Sequence, residues 1–284
     1  MNRTKIEWVK NPDGTQGYTW NPITGCLNHV NGLCKGGGFP CYAYKLANGR
    51  LSQRYLANHN VANWQTDSDI EKVKAYNDPF YPRFWEERLY DFRLIPHRDM
   101  EPKCRGIFVC DMGDLFGIGI PEEWTRLVLS ECQQSPHNRF YLLTKQSQNL
   151  IKFSPFPENC WVGVTATGYG AFNAALDKLK CIGAKVKYIS IEPLLEAIPF
   201  SEGRLAYCGI NWLIIGVQTN PYKPPVIKWV REIVNAADKA GIKVFLKDNL
   251  RPLLNANSWE YETLWQHIDS KTLVFPLKPR QELP

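Results

Sequence analysis

Short, almost continuous apolar runs alternate with amphipathic stretches along most of this chain. The runs at residues 106–110 (GIFVC), 139–143 (RFYLL), 161–164 (WVGV), 186–191 (VKYISI), 212–217 (WLIIGV) and 243–246 (KVFL) are rich in β-branched and aromatic side chains. Runs of this length and composition predict strands buried on both faces. An earlier aromatic run at 17–23 ends at Thr24-Gly25-Cys26, and residues 41–48 begin as a helix. Between the later runs, residues 121–133, 171–180 and 226–240 read as helices. The first opens on Pro121 and two glutamates, and the last closes on Gly241. Alternation of strand and helix predicts an α/β fold with a parallel sheet, in a partial or complete βα barrel of TIM type. Periodicity alone leaves an open doubly wound sheet as the alternative.

A single barrel domain over residues 1–284 is expected. Residues 51–103 carry Trp64, Trp85 and many charges, and read as a helical insertion between the first two barrel strands. Residues 249–284 read as a C-terminal extension. Nearly every predicted strand ends on polar residues: Asp111 with Asp114, Thr144 with Lys145, Thr165, Glu192, Gln218, and Lys247 with Asp248. In a parallel barrel these ends share the face on which active sites assemble. Polar residues also simply mark where strands stop, so the row is a set of candidates.

Composition narrows the setting. With 284 residues and 44% hydrophobic content the chain can bury a core. No apolar run is long enough to span a bilayer, and residues 1–10 lack an apolar signal segment. A cytoplasmic protein without a membrane partner is expected. The net charge of +6 has no concentrated basic run behind it. It permits a nucleic-acid or phosphorylated partner without demanding one. Nine cysteines are an odd number in a chain with no secretion signal, which makes a disulfide framework a poor reading. Cys104, Cys110, Cys132, Cys160, Cys181 and Cys208 are scattered, whereas Cys26, Cys34 and Cys41 crowd together as C-x7-C-x6-C. Three thiolates suit a [4Fe–4S] cluster whose fourth iron stays open. Zinc asks for a fourth ligand, which His29 supplies. Three unrelated thiols are the third reading, and spacing alone leaves all three standing.

An ordered set of strings carries a resemblance. They are Lys5-Ile6-Glu7-Trp8, Trp20-Asn21-Pro22-Ile23-Thr24-Gly25-Cys26, Cys41-Tyr42-Ala43, and Ile107-Phe108-Val109 followed by Met112-Gly113-Asp114-Leu115-Phe116. Leu143-Thr144-Lys145, Trp161-Val162-Gly163-Val164, Glu192-Pro193-Leu194-Leu195, Ile214-Ile215-Gly216 and Phe245-Leu246-Lys247 follow. Together they resemble the phage-associated three-Cys-motif proteins, a radical S-adenosylmethionine-like family distantly similar to spore photoproduct lyase. The resemblance implies a barrel of the radical S-adenosylmethionine type, a [4Fe–4S] cluster on Cys26, Cys34 and Cys41, and S-adenosylmethionine on the open iron. The chain departs from that pattern in three places. Six residues separate Cys34 from Cys41 where two are usual; Asp111-Met112-Gly113-Asp114 stands for Ser-Met-Ser-Asp; and Gly216-Val217-Gln218 stands for Gly-Gly-Glu.

The resemblance further implies an enzyme that generates a 5′-deoxyadenosyl radical and draws on an electron donor. Asp111, Asp114, Thr165 and Glu192 are then candidates to bind the cofactor's ammonium or ribose. Lys145, Gln218 and Lys247 are candidates for catalytic duty. Cys110, at a strand top, is a candidate hydrogen-atom donor, whereas Cys104 and Cys160 fall on the opposite rim. The expected substrate is a nucleic-acid base or nucleotide, in repair or modification. The competing expectation is a zinc- or cluster-stabilised nucleic-acid-binding module without catalysis.

Overall fold

A computed structural model of the chain describes residues 1–62, 69–91, 104–199, 201–256, 264–265 and 278–284. Its elements in order are β1 (Asn2–Arg3), β2 (Tyr18–Trp20), β3 (Ile23–Thr24), β4 (His29–Val30), β5 (Leu33–Cys34), α1 (Tyr42–Ala47), α2 (Ser52–Leu56), α3 (Asp69–Asn77) and β6 (Arg83–Phe84). They continue with β7 (Gly106–Val109), α4 (Glu122–Gln133), β8 (Arg139–Thr144), β9 (Cys160–Thr165), α5 (Tyr169–Lys180), β10 (Val186–Ile191) and α6 (Glu202–Tyr207). The last are β11 (Trp212–Ile215), β12 (Gln218–Thr219), β13 (Tyr222–Lys223), α7 (Ile227–Lys239), β14 (Lys243–Leu246) and α8 (Arg251–Asn255).

The fold is mixed α/β, built on an eight-stranded sheet in the order β1-β2-β7-β8-β9-β10-β11-β14. The sheet is mostly parallel; β1 alone is recorded as antiparallel, to β2. The order has two ends, so the expected complete barrel does not form among the described residues. Other segments take up its edges. A two-residue strand, β1, occupies one. Beside β14, Phe245 bridges Gln281 and Leu246 N donates to Arg280 O at 2.7 Å. An edge covered in this way has no free ladder left with which to close.

The chain forms two compact units. The first comprises Met1–Val162 with Ile182–Lys185, and the second Gly163–Cys181 with Val186–Pro284. In the first, α4 buries Trp124, Val128, Leu129 and Cys132, a stripe at helical spacing. The N-terminal segment is held across the starts of β2 and β7. Gly17 N donates to Val9 O, Gly106 N to Asn11 Oδ1 and Tyr141 Oη to Lys10 O, each at 2.9 Å. Gly106 is required there, because a Cβ would stand 2.0 Å from Lys10 O. Of the 51–103 insertion, α2, α3 and β6 are seen, while 63–68, with Trp64, and 92–103 lie outside the described residues.

In the second unit all four residues of β11 are buried, as the continuous apolar run predicts. Helix α5 buries Phe172, Ala175, Leu176 and Leu179, and α7 buries Val230, Ile233, Val234 and Ala237. The described part of the C-terminal extension includes Arg280, which pairs with Asp238 at 2.7 Å and Glu282 at 2.8 Å. Residues 257–263 and 266–277 lie outside the description.

Candidate functional site

In the first unit β2, β7 and β8 run parallel, and hydrogen bonds join the residues that follow them. Asn21 Nδ2 donates to Asp111 Oδ1 at 2.6 Å, and Asn21 Oδ1 accepts from Met112 N at 2.9 Å. The Tyr42 hydroxyl donates to Asp111 O. Asp114 is buried and accepts from Thr144 Oγ1 at 3.0 Å, Lys145 N at 3.1 Å and Phe116 N at 3.1 Å. Burial outweighs these bonds and holds both the Asp111 and Asp114 carboxyls above the usual carboxylate range. Asp114 is thus already engaged by the protein as the brace of the turn between β7 and β8.

The cysteine loop leaves the end of β3. Gly25 has φ +89°, and a Cβ there would stand 2.5 Å from Tyr81 O and 2.6 Å from Phe80 O. Only glycine threads this gap, in which Gly25 N bonds Met112 O at 2.9 Å and Cys26 N bonds Phe80 O at 3.0 Å. Cys26 Sγ accepts from Asn28 N at 3.3 Å. The β4–β5 hairpin turns at Asn31-Gly32, both with positive φ, and carries Cys34, which is buried. Cys41 caps α1, and its N–H bonds Gly32 O at 2.9 Å. Cys26 and Cys41 pack on one apolar cluster of Ala43, Ala47, Tyr55, Phe80, Trp85 and Met112.

The electrostatics tie the loop to the strand ends. Burial first, then the Asp114 carboxyl, pushes the Cys26 thiol up to about 12, with Cys41 adding; the Asn28 N–H and Lys145 oppose them. Lys145 also borders Gly36. A methyl placed there would lie 3.3 Å from Lys145 Cδ and 3.7 Å from Cys34 Sγ. All three thiols are free. Among the described residues no three of His, Cys, Asp and Glu are grouped to hold one metal ion. Three free thiols on one loop are soft donors of a kind that suits a cluster or a zinc ion. His29 is committed to the hairpin: its Nδ1 accepts from Gly32 N at 3.3 Å, and its ring packs on Tyr44 and Phe80.

The second unit holds the other candidates. Thr165 ends β9 and is buried. Glu192 follows β10 and Lys247 follows β14; they pair at 2.7 Å, each about one-fifth exposed. Glu192 Oε1 is buried and has no hydrogen-bond partner among the described residues. Gln218 lies apart from the pair in its bonding, donating to Pro221 O at 3.1 Å across the β12–β13 turn.

A sequence profile of DUF5131, described as a protein of unknown function, matches residues 3–251. The chain belongs to the DUF5131 family. No curated protein and no solved structure matches it. The matched span of this DUF5131 chain contains the three cysteines and all the strand-end groups named above. Three residues that sequence reasoning passed over also matter here. Asn21 holds Asp111, Tyr42 reaches the same residue from α1, and Asn249 brackets Val217 with bonds of 3.3 and 3.4 Å. Asn21 and Tyr42 lie inside recognisable strings, whereas nothing but its place two residues beyond Lys247 points to Asn249. Cys110 is buried with φ +60°, and burial pushes its thiol well up.

Proposed function

We propose that this DUF5131 chain is an iron–sulfur enzyme of the radical S-adenosylmethionine type, in a partial βα barrel. Cys26, Cys34 and Cys41 would hold a [4Fe–4S] cluster, with S-adenosylmethionine on the open iron. The supporting observation is the cysteine loop itself: three free thiols on one loop, anchored at its start by the Gly25 N–H bond to Met112 O, beyond the end of β7. The likeness to the three-Cys-motif proteins points the same way. When bound, such a cluster supplies the electron for reductive cleavage of the sulfonium.

The chain's own groups have definable parts in this reading. Asn21 orients the half-buried Asp111 carboxylate as an acceptor at the strand end. Asp114 fixes the Lys145 backbone, and Lys145 brings positive charge beside Cys26, where it opposes the upward push of burial on that thiol. In the second unit, Glu192 Oε1 is an acceptor that a ligand's amine or hydroxyl would satisfy, and Lys247 holds the carboxylate in place. A nucleic-acid base or nucleotide is the proposed substrate class.

Anaerobic reconstitution with iron and sulfide tests the reading. It is expected to give a brown protein with about four irons per chain. That protein is expected to release 5′-deoxyadenosine from S-adenosylmethionine under a chemical reductant. Cys26→Ala, Cys34→Ala and Cys41→Ala should each abolish iron loading, and Cys132→Ala should not. A colourless protein that holds one zinc would overturn the proposal. A brown protein that never cleaves S-adenosylmethionine would overturn its enzymatic half.

A further inference from the structure

Two cysteines outside the loop meet in the interior of the first unit. Cys132 lies in the last turn of α4 and Cys160 opens β9. Both are free, and both are 0% exposed. Their thiols are joined by a hydrogen bond. The backbone brings the two together independently of the sulfurs. Asn159, one residue before Cys160, donates through Nδ2 to Cys132 O at 2.8 Å, Ser135 O at 3.0 Å and Asn138 O at 3.1 Å. One side-chain amide thus gathers carbonyls that the end of α4 leaves without helical donors. Phe140 N donates to Asn159 O at 2.9 Å, which locks the start of β8 to the same point.

A single buried cysteine packs as a small hydrophobe and needs no chemical account. Two thiols in hydrogen-bond contact are different. They have only to close that contact to reach the disulfide length of about 2.05 Å. The Asn159 clamp already fixes the backbones on either side, so closure falls on the side chains. Burial, then the bond to Cys160, pushes the Cys132 thiol well up, and it stays protonated at neutral pH.

We propose that Cys132 and Cys160 form a reversible disulfide under oxidising conditions, a staple between α4 and β9. The sulfur–sulfur bond forms as both S–H bonds break. Two electrons and two protons leave the pair. A peroxide takes them up as two waters, and an azo oxidant such as diamide takes them up as the hydrazine. The staple closes residues 133–159 into a loop, which limits the freedom of the unfolded chain. That loop contains β8, whose end supplies the Thr144 hydroxyl and Lys145 N–H bonded to Asp114. Oxidation therefore stiffens the brace between β7 and β8 without consuming Cys26, Cys34 or Cys41. The pair stands on the geometry of one unit and does not depend on a cluster.

Diamide treatment of the full chain, then alkylation, tryptic digestion and mass spectrometry without reduction, tests the proposal. Trypsin places the two cysteines in separate peptides, 127–139 and 153–178, each with no other cysteine. The expected product joins these peptides at two hydrogens below their summed mass, and dithiothreitol parts them. Oxidation should raise the melting temperature by about 5 °C. The rise should be absent in Cys132→Ala and in Cys160→Ala, each compared with its own reduced form. Both substitutions fall in the core, so the peptide map of the parent chain carries the test if either variant fails to fold. Three results would overturn the proposal. One is a pair still open to alkylation on unfolding after diamide has left the circular dichroism unchanged. The others are a bridge from Cys132 to Cys110 instead, and a thermal rise that persists in both variants. Iron loading is measured on the same samples before oxidation, so failure of the cluster and failure of the staple are read separately.

Discussion

Arg83 carries its charge into the interior of the first unit without an ion-pair partner among the described residues. Five backbone carbonyls receive it instead: Asn58 O at 3.0 Å, Asp78 O at 2.6 Å, Tyr81 O at 2.9 Å, Ala75 O at 3.2 Å and Tyr76 O at 3.1 Å. Two of these belong to the last turn of α3, which lacks other donors for them. Arg83→Met should lower the unfolding free energy by about 3 kcal/mol, because it orphans buried acceptors. Urea denaturation measures this, and Arg83→Lys should recover only a part, since an ammonium cannot reach five directions. Asp111 makes a second prediction. Burial raises its folded pKa above the unfolded value, so the folded chain binds the extra proton. The stability associated with that proton is full below the unfolded pKa and is lost as pH rises through the folded one. Relative to Asp111→Asn, the parent should therefore lose stability from about pH 4 upward, until Asp111 is fully ionised. Urea midpoints across that range would show it, and parallel profiles would contradict it.

At the scale of elements, the strands of the large sheet were legible because burial on both faces leaves an uninterrupted apolar run. β7, β8, β9, β10, β11 and β14 each fall within a residue or two of such a run. The run at 17–23 breaks into β2 and β3 at Asn21-Pro22, since proline cannot continue the ladder. The β4–β5 and β12–β13 hairpins left no such trace; their strands are two residues long and partly exposed. Barrel closure was illegible for a different reason. It depends on which segment reaches an edge first, and the tail around Gln281 does so beside β14. The site divides in the same manner. Cysteine spacing marks the loop, but it cannot report the Glu192–Lys247 pair or the Cys132–Cys160 pair, which tertiary contact creates. Gly106→Ala tests the packing logic of β7. Its Cβ would collide with the Lys10 carbonyl, and a loss of at least about 2 kcal/mol is expected in thermal or urea unfolding.

For the whole molecule, ligand linkage supplies the measurement. A cluster bound to the folded loop and not to the unfolded chain must raise the melting temperature of the reconstituted protein above that of the stripped one. The same shift should vanish in Cys34→Ala, whose thiol is the buried member of the three. The two compact units add a consequence of another kind. Each is assembled from separate stretches of chain, the first recovering Ile182–Lys185 after the second has begun. Gly183 in that short return bonds Ser154 Oγ at 2.9 Å and Phe156 N at 2.8 Å. No single cut frees either unit whole, so neither can be exchanged between genes as a cassette. Recombination would have to move the interleaved pair together, and residues 3–251, the span of the family, include the whole interleaved region.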